Sequence, residues 1–138
     1  MAIVGLGRRA FFEALAAVRL GRVALSAQTS GPPRHYHEEQ DEWFYCLAGE
    51  YVVEIGEQRF RLGPGDSVLG PRRVPHAFVY DAAGPGRILI GFTPAARIEQ
   101  FFRDLEKRGE YFGNGSPADK ELVHRLYGIV NVGPPLKL

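Results

Sequence analysis

Three histidines and a glutamate carry the chemistry legible in this chain: His35-x-His37, then Glu42, then His76 after a run punctuated by Gly and Pro. Imidazole nitrogen and carboxylate oxygen together make a donor set for a first-row transition metal. Side chains alternate between the faces of an extended strand, so His35 and His37 share one side, about 7 Å apart at the backbone. Glu42 stands an odd number of residues beyond His35, and a continuous strand would aim it the other way. The polar run Glu38-Glu39-Gln40-Asp41 supplies a turn, after which Glu42 can open the next strand with its carboxylate directed back at the same interior. His76 is the long-range member of the set. It begins His76-Ala77-Phe78-Val79-Tyr80, in which positions 76, 78 and 80 share a face. The fourth histidine, His124, falls on an expected C-terminal helix and reads as a surface residue.

The stretch Gly31-Pro-Pro-Arg-His35-Tyr-His37-Glu-Glu-Gln-Asp-Glu42-Trp-Phe-Tyr-Cys-Leu-Ala-Gly49 resembles the first motif of the cupin family, and Gly65, Pro71 and His76 echo the second with the family's spacing. Arg73 stands where a glycine is usual and Tyr80 where an asparagine is usual, while Gly31 lies only four positions before His35. The resemblance covers residues 31 to 80 and extends more weakly to Phe92. It implies an all-β fold, a double-stranded β-helix or jelly-roll barrel. It further implies one divalent transition metal (Fe, Mn, Ni, Zn or Cu) held by His35, His37, Glu42 and His76. Residues 93 to 138 resemble the helical tail of some small bacterial cupins, quercetinase-like ones included.

Periodicity supplies the elements that must hold these groups. Phe11, Phe12, Leu15 and Val18 recur at helical spacing, which predicts a short helix over residues 8 to 19. Strands are expected near 22–28, 33–37, 42–47, 50–55, 58–62, 66–69, 76–81 and 87–92, with Gly-containing turns between them. Thr93 can cap a helix from Pro94 to near Gly109, and Ser116-Pro117-Ala118-Asp119 opens a second that closes at Gly128. The expected domain is therefore single, a barrel over about 22–92 with a short N-terminal helix and a helical tail over 93–138. Strands that alternate with turns rather than with helices call for an antiparallel sandwich or barrel.

Strand parity puts Phe44, Cys46, Phe78 and Tyr80 on the metal's side, with Val53, Ile55, Phe60 and Leu62 as further lining or core. The expected substrate pocket is Phe44, Cys46, Val53, Phe78, Tyr80 and Arg73, with Tyr80 as candidate acid or hydrogen-bond donor. Such a wall suits a small aromatic or enolic molecule better than a sugar phosphate. The opposite face, with Trp43, Tyr45, Ala77 and Val79, is also apolar and calls for cover by the terminal helices and a second subunit, hence a homodimer.

Composition narrows the partners. The 138 residues suffice for one core without staples, and a net charge of +1 provides no basic field for nucleic acid. A single cysteine excludes an intrachain disulfide framework, and Cys46 reads as a small buried apolar residue. Gly5-Leu6-Gly7-Arg8-Arg9-Ala10 fits a dinucleotide pattern but lacks the acidic residue and second βαβ unit that the pattern needs. Arg8-Arg9-Ala10-Phe11-Phe12 resembles a twin-arginine signal, yet Glu13, Arg19 and Arg22 break the apolar region, so a cytoplasmic location is expected. No apolar run reaches the 18 residues of a membrane span.

Three neutral imidazoles and one carboxylate leave a divalent ion with a formal charge of +1 and, in octahedral geometry, two open positions. That ligand set, the apolar wall and the resemblance of the tail to quercetinase-like cupins together favour a metal-dependent dioxygenase-type enzyme on a small aromatic or enolic substrate. The alternatives are an oxygen-independent metalloenzyme, a decarboxylase or isomerase, and a non-catalytic module that binds or senses a small molecule.

Overall fold

The structure is a computed structural model that describes residues 31–108 and 116–138. The expected helix at 8–19 and strand at 22–28 lie outside the described residues. The elements are β1 (Pro33–His37), β2 (Asp41–Ala48), β3 (Tyr51–Ile55), β4 (Gln58–Leu62), β5 (Ser67–Gly70), β6 (His76–Tyr80), β7 (Arg87–Thr93), α1 (Ile98–Arg108), α2 (Pro117–Tyr127) and β8 (Ile129–Pro135). The first seven strands fall within one residue of their expected ends.

Two antiparallel sheets face each other, one ordered β4-β3-β6-β1-β8 and the other β5-β2-β7. Consecutive β1 and β2 thus lie in opposite sheets, as in a jelly roll. Alternation decides which side chains meet between them. In β1 the buried positions are Pro33, His35 and His37, and in β2 they are Glu42, Phe44 and Cys46. Register then aligns the inner face of the larger sheet, with Tyr51 opposite Tyr80, Val53 opposite Phe78 and Ile55 opposite His76. Phe44, Cys46, Tyr51, Val53, Ile55, Leu62, Phe78 and Tyr80 make the main core. Each large apolar side chain buried there stabilises the fold by about 1.5–3 kcal/mol.

Gly31 explains its own residue type. A Cβ built on it would come within 1.8 Å of the Phe78 carbonyl oxygen, so the chain can enter β1 this close to β6 only as glycine.

Beyond β7 the structure departs from the sequence reading. Ala96 takes a positive φ of 43°, incompatible with a helix interior, and α1 begins at Ile98 rather than Pro94. The second helix starts where its signals place it: Ser116 caps it, Asp119 completes a capping box, and left-handed Gly128 (φ 69°) donates its N–H to the His124 carbonyl. After Gly128 the tail, expected to contribute helices only, turns back as β8, which pairs antiparallel with β1. Gly133-Pro134-Pro135 obscures the strand pattern, and an edge position tolerates those prolines because one side of β8 needs no ladder donor.

The terminal elements divide the covering work differently from expectation. Ile98 and Phe101 of α1, Val123 and Tyr127 of α2, and Ile129 of β8 form a second core, with Phe92 and Leu105 packed against it. The helices therefore fill the gap between the β7 and β8 edges, and the Tyr127 hydroxyl donates to Asp104 Oδ2 at 2.8 Å to tie α2 to α1. The outer face of β3 and β6 is covered by the C-terminal segment, where Leu136 packs with Val52, Ala77 and Val79. No helix among the described residues is long and apolar enough to cross a membrane.

Candidate metal centre

His35 and His37 enter the interior from β1, His76 from the first position of β6 beside them, and Glu42 from β2 in the facing sheet. All four side chains are buried. His35 pairs directly with His76 across the β1–β6 ladder. The turn at Glu38–Gln40 carries the chain from one sheet to the other, which is how Glu42 comes to oppose the histidines. Glu42 Oε2 lies 2.7 Å from His76 Nε2, 3.0 Å from His37 Nε2 and 3.7 Å from His35 Nε2. The four prospective donor atoms lie within 4.8 Å of one another, a spread close to that of donors each about 2.1 Å from one ion.

Backbone contacts orient two of the rings. His35 Nδ1 donates to the Pro33 carbonyl at 2.7 Å and His76 Nδ1 donates to the Val74 carbonyl at 2.9 Å. A carbonyl only accepts, so each of these Nδ1 atoms carries its proton, and a neutral ring turns the lone pair of Nε2 toward Glu42. Lone pairs facing a buried carboxylate repel it unless a cation or a proton lies between. This donor set, with its rings held from behind, fits a divalent transition metal.

The charges are strongly coupled. Burial pushes the Glu42 carboxyl up, but the His76 charge and hydrogen bonds from all three imidazoles outweigh it and hold the group well below the ordinary carboxylate range. Burial acts downward on His76 as well. The Glu42 carboxylate overcomes it, so this imidazole holds its proton to higher pH than an ordinary histidine. His35 moves the opposite way, lowered by burial that Glu42 offsets only in part.

The other expected site residues distribute unevenly. Phe44 packs against both His76 and Phe78, with ring centroids 5.9 and 5.6 Å away, and Val53 and Phe78 continue the apolar wall. Cys46 is fully buried, its thiol donates to the Gly49 carbonyl at 3.4 Å, and burial pushes its pKa up. Tyr80 shares the face of His76 but sits four residues along β6, about 13 Å at strand spacing. Its hydroxyl donates to the Gly84 carbonyl at 2.7 Å, and its ring packs on Tyr51. The structure therefore does not bring Tyr80 to the four donors. Arg73 is exposed, and its backbone N–H donates to the His37 carbonyl at 2.8 Å, tying the β5–β6 loop to the end of β1. Its φ of 64° is a conformation natural to glycine, the residue usual at this point of the motif.

Several charged neighbours of the centre are paired with one another. Arg72 clasps Asp41 through two nitrogens at 3.0 Å, Arg34 meets Glu54 at 3.1 Å, and His124 meets Glu38 at 3.2 Å on an exposed surface. Two contributors to the centre's surroundings were not singled out from sequence. Gln40, expected in a solvated turn, is buried and donates to the Ala95 carbonyl at 2.6 Å. Phe92 sets its ring 5.3 Å from that of His37 and joins the centre to the helical core. Its place opposite Glu42 in the β2–β7 ladder is a pairing that strand parity alone does not reveal.

The chain is 34% identical over 71 residues to quercetin 2,3-dioxygenase from Bacillus subtilis (strain 168), covering 51% of this chain and 20% of that protein. It is 30% identical over 91 residues to an oxidoreductase from Arthrobotrys oligospora, covering 65% and 36%. It therefore spans well under half the length of these curated relatives. A sugar phosphate isomerase structure from Silicibacter pomeroyi, itself of the cupin superfamily, superposes with a TM-score of 0.50 at 28% identity, covering 56% of this chain and 50% of the other. Residues 21–92, just over half the chain, match the family model described as the cupin domain, and the protein belongs to that family.

Proposed function

We propose that this protein is a metal-dependent dioxygenase-type enzyme acting on a small aromatic or enolic substrate. The observation that carries the reading is the convergence of four buried donors, two of whose imidazoles are anchored from behind by backbone carbonyls, with every Nε2 turned to the Glu42 carboxylate. Similarity to quercetin 2,3-dioxygenase supports the oxygenase choice within the family. A divalent transition metal in this set supplies polarisation of a hydroxyl or carbonyl and, for a redox-active ion, electron transfer.

The chain's own residues have separable parts in this scheme. His35, His37 and His76 hold the ion with neutral nitrogens, and Glu42 contributes the one negative charge. Hydrogen bonds to Pro33 and Val74 keep two rings aimed without help from solvent. Phe44, Val53 and Phe78 keep water from the inner side, which strengthens every charge interaction at the centre. Arg73, exposed beside the His37 carbonyl, is the cation in this proposal that meets an anionic substrate at the entrance.

The test is oxygen uptake by Fe-, Mn- or Ni-loaded protein given a flavonol or a catechol. Uptake matched to substrate loss is expected, and none with any of these metals and compounds would reject the reading. The likeness to a sugar phosphate isomerase favours a second reading, an oxygen-independent isomerase or decarboxylase. Its weakness is the base, because Asp41 and Glu38 are each engaged with a partner cation or imidazole and Glu39 is exposed on the turn. Product formed under strict anaerobiosis would select it.

A further inference from the structure

The inner face of β8 carries a polar group that the four-residue centre leaves unused. Asn131 stands directly opposite His35 in the β1–β8 ladder. Opposed residues of an antiparallel pair project to the same face, with Cβ atoms about 5 Å apart. His35 turns inward toward Glu42, so Asn131 shares that interior next to the metal centre. Its Oδ1 and Nδ2 are both buried, and neither has a hydrogen-bond partner among the described residues. Diagonally across, His37 also leaves Nδ1 buried and unpartnered.

An amide offers two donors and an acceptor, and burying it unpaired works against folding. Leucine has the same heavy-atom branching and carries no polar atoms to leave unpaired. The ladder is also irregular at this point: the step from His35 back to Pro33 on β1 is matched by the step from Asn131 to Pro135 on β8. Such irregularities concentrate beside functional sites, where they re-aim a side chain.

We propose that Asn131 is a ligand-binding residue whose amide hydrogen-bonds the second oxygen of a molecule whose first oxygen is held at the His35–His37–Glu42–His76 centre. The inference rests on the metal-centre reading above but not on oxygen chemistry. The ligand class is a compound with oxygens on adjacent carbons: a catechol, an enediol or a hydroxy ketone. One oxygen ionises for the metal, and its neighbour, whether O–H or C=O, finds its complement on the amide.

The experiment titrates catechol and phenol, without oxygen, into the metal-loaded full chain and into Asn131→Leu and Asn131→Ala. Metal content and thermal unfolding are measured on the same samples. The leucine variant is expected to keep one metal per chain, to unfold at the same or a higher temperature without ligand, and to bind catechol about tenfold more weakly. Phenol, lacking the second oxygen, is expected to bind all three proteins alike. Unchanged catechol affinity, an equal loss for phenol, or no catechol binding by the wild type would each overturn the proposal. So would a large drop in unfolding temperature with metal loss in both variants, which would make the amide structural. If the catechol dependence holds but oxygen is never consumed, the dioxygenase reading falls and Asn131 keeps its role.

Discussion

At the scale of single residues, the coupling of His76 to Glu42 sets how the centre competes with protons. Glu42 is held below the carboxylate range, so it is ionised near neutrality and offers its charge to a cation without giving up a proton. His76 is raised above the usual 6.5 and must lose a proton to bind metal. Metal affinity is therefore expected to fall as pH drops through the raised His76 value, by up to about tenfold per pH unit, and to keep climbing above pH 6.5. Chelator competition between pH 6 and 9 measures this, and a flat profile would contradict the coupling. Arg73 gives a second prediction. Its left-handed backbone is strained for any residue but glycine, so Arg73→Gly is expected to raise stability by about 1 kcal/mol in urea unfolding. If the side chain also meets substrate, the same variant raises KM for an anionic substrate and leaves a neutral one unaffected.

At the scale of elements, β8 matters more than its length suggests. It places Asn131 and Ile129 against β1 and carries the chain to Leu136, whose side chain closes the outer face over Val52, Ala77 and Val79. Leu136→Ala is expected to cost about 2–3 kcal/mol, toward the lower end for a large-to-small core change because the site lies at the sheet surface. Equilibrium urea denaturation reads it, and a loss below about 0.5 kcal/mol would show that Leu136 is not the cover. The helices have a different task. Their apolar residues meet Phe92 and Ile129 in the gap between sheet edges, so they brace the ring of His37 from behind.

At the scale of the whole molecule, two sheets of different size enclose one core, and the outer face of the smaller sheet leaves Leu47 and Leu69 exposed. We propose that a second subunit covers this face. Sedimentation equilibrium is expected to give twice the mass of one chain, with Leu69→Glu shifting the protein toward monomer. A monomer throughout the micromolar range would remove the dimer from the proposal.

Much of this architecture is written in local pattern. Alternation of apolar and polar residues located seven strands, and Ser116, Asp119 and Gly128 marked both ends of α2, because such signals depend only on neighbours a few residues away. His35, His37 and Glu42 lie close enough in sequence to announce themselves in the same way, whereas His76, 34 residues beyond Glu42, joined them through its place in the second cupin-like motif. Tertiary structure decided the rest. Parity told which face Tyr80 occupies but not its depth along the strand, and four residues of rise carry its hydroxyl away to Gly84. The proline-rich end of β8 hid a strand that only pairing with β1 reveals, and with it Asn131 beside His35. Gln40 looked like a solvated turn until Ala95 closed over it. Residues near in sequence announce their own conformation, whereas contacts between distant strands are set by how the two sheets close on their shared core.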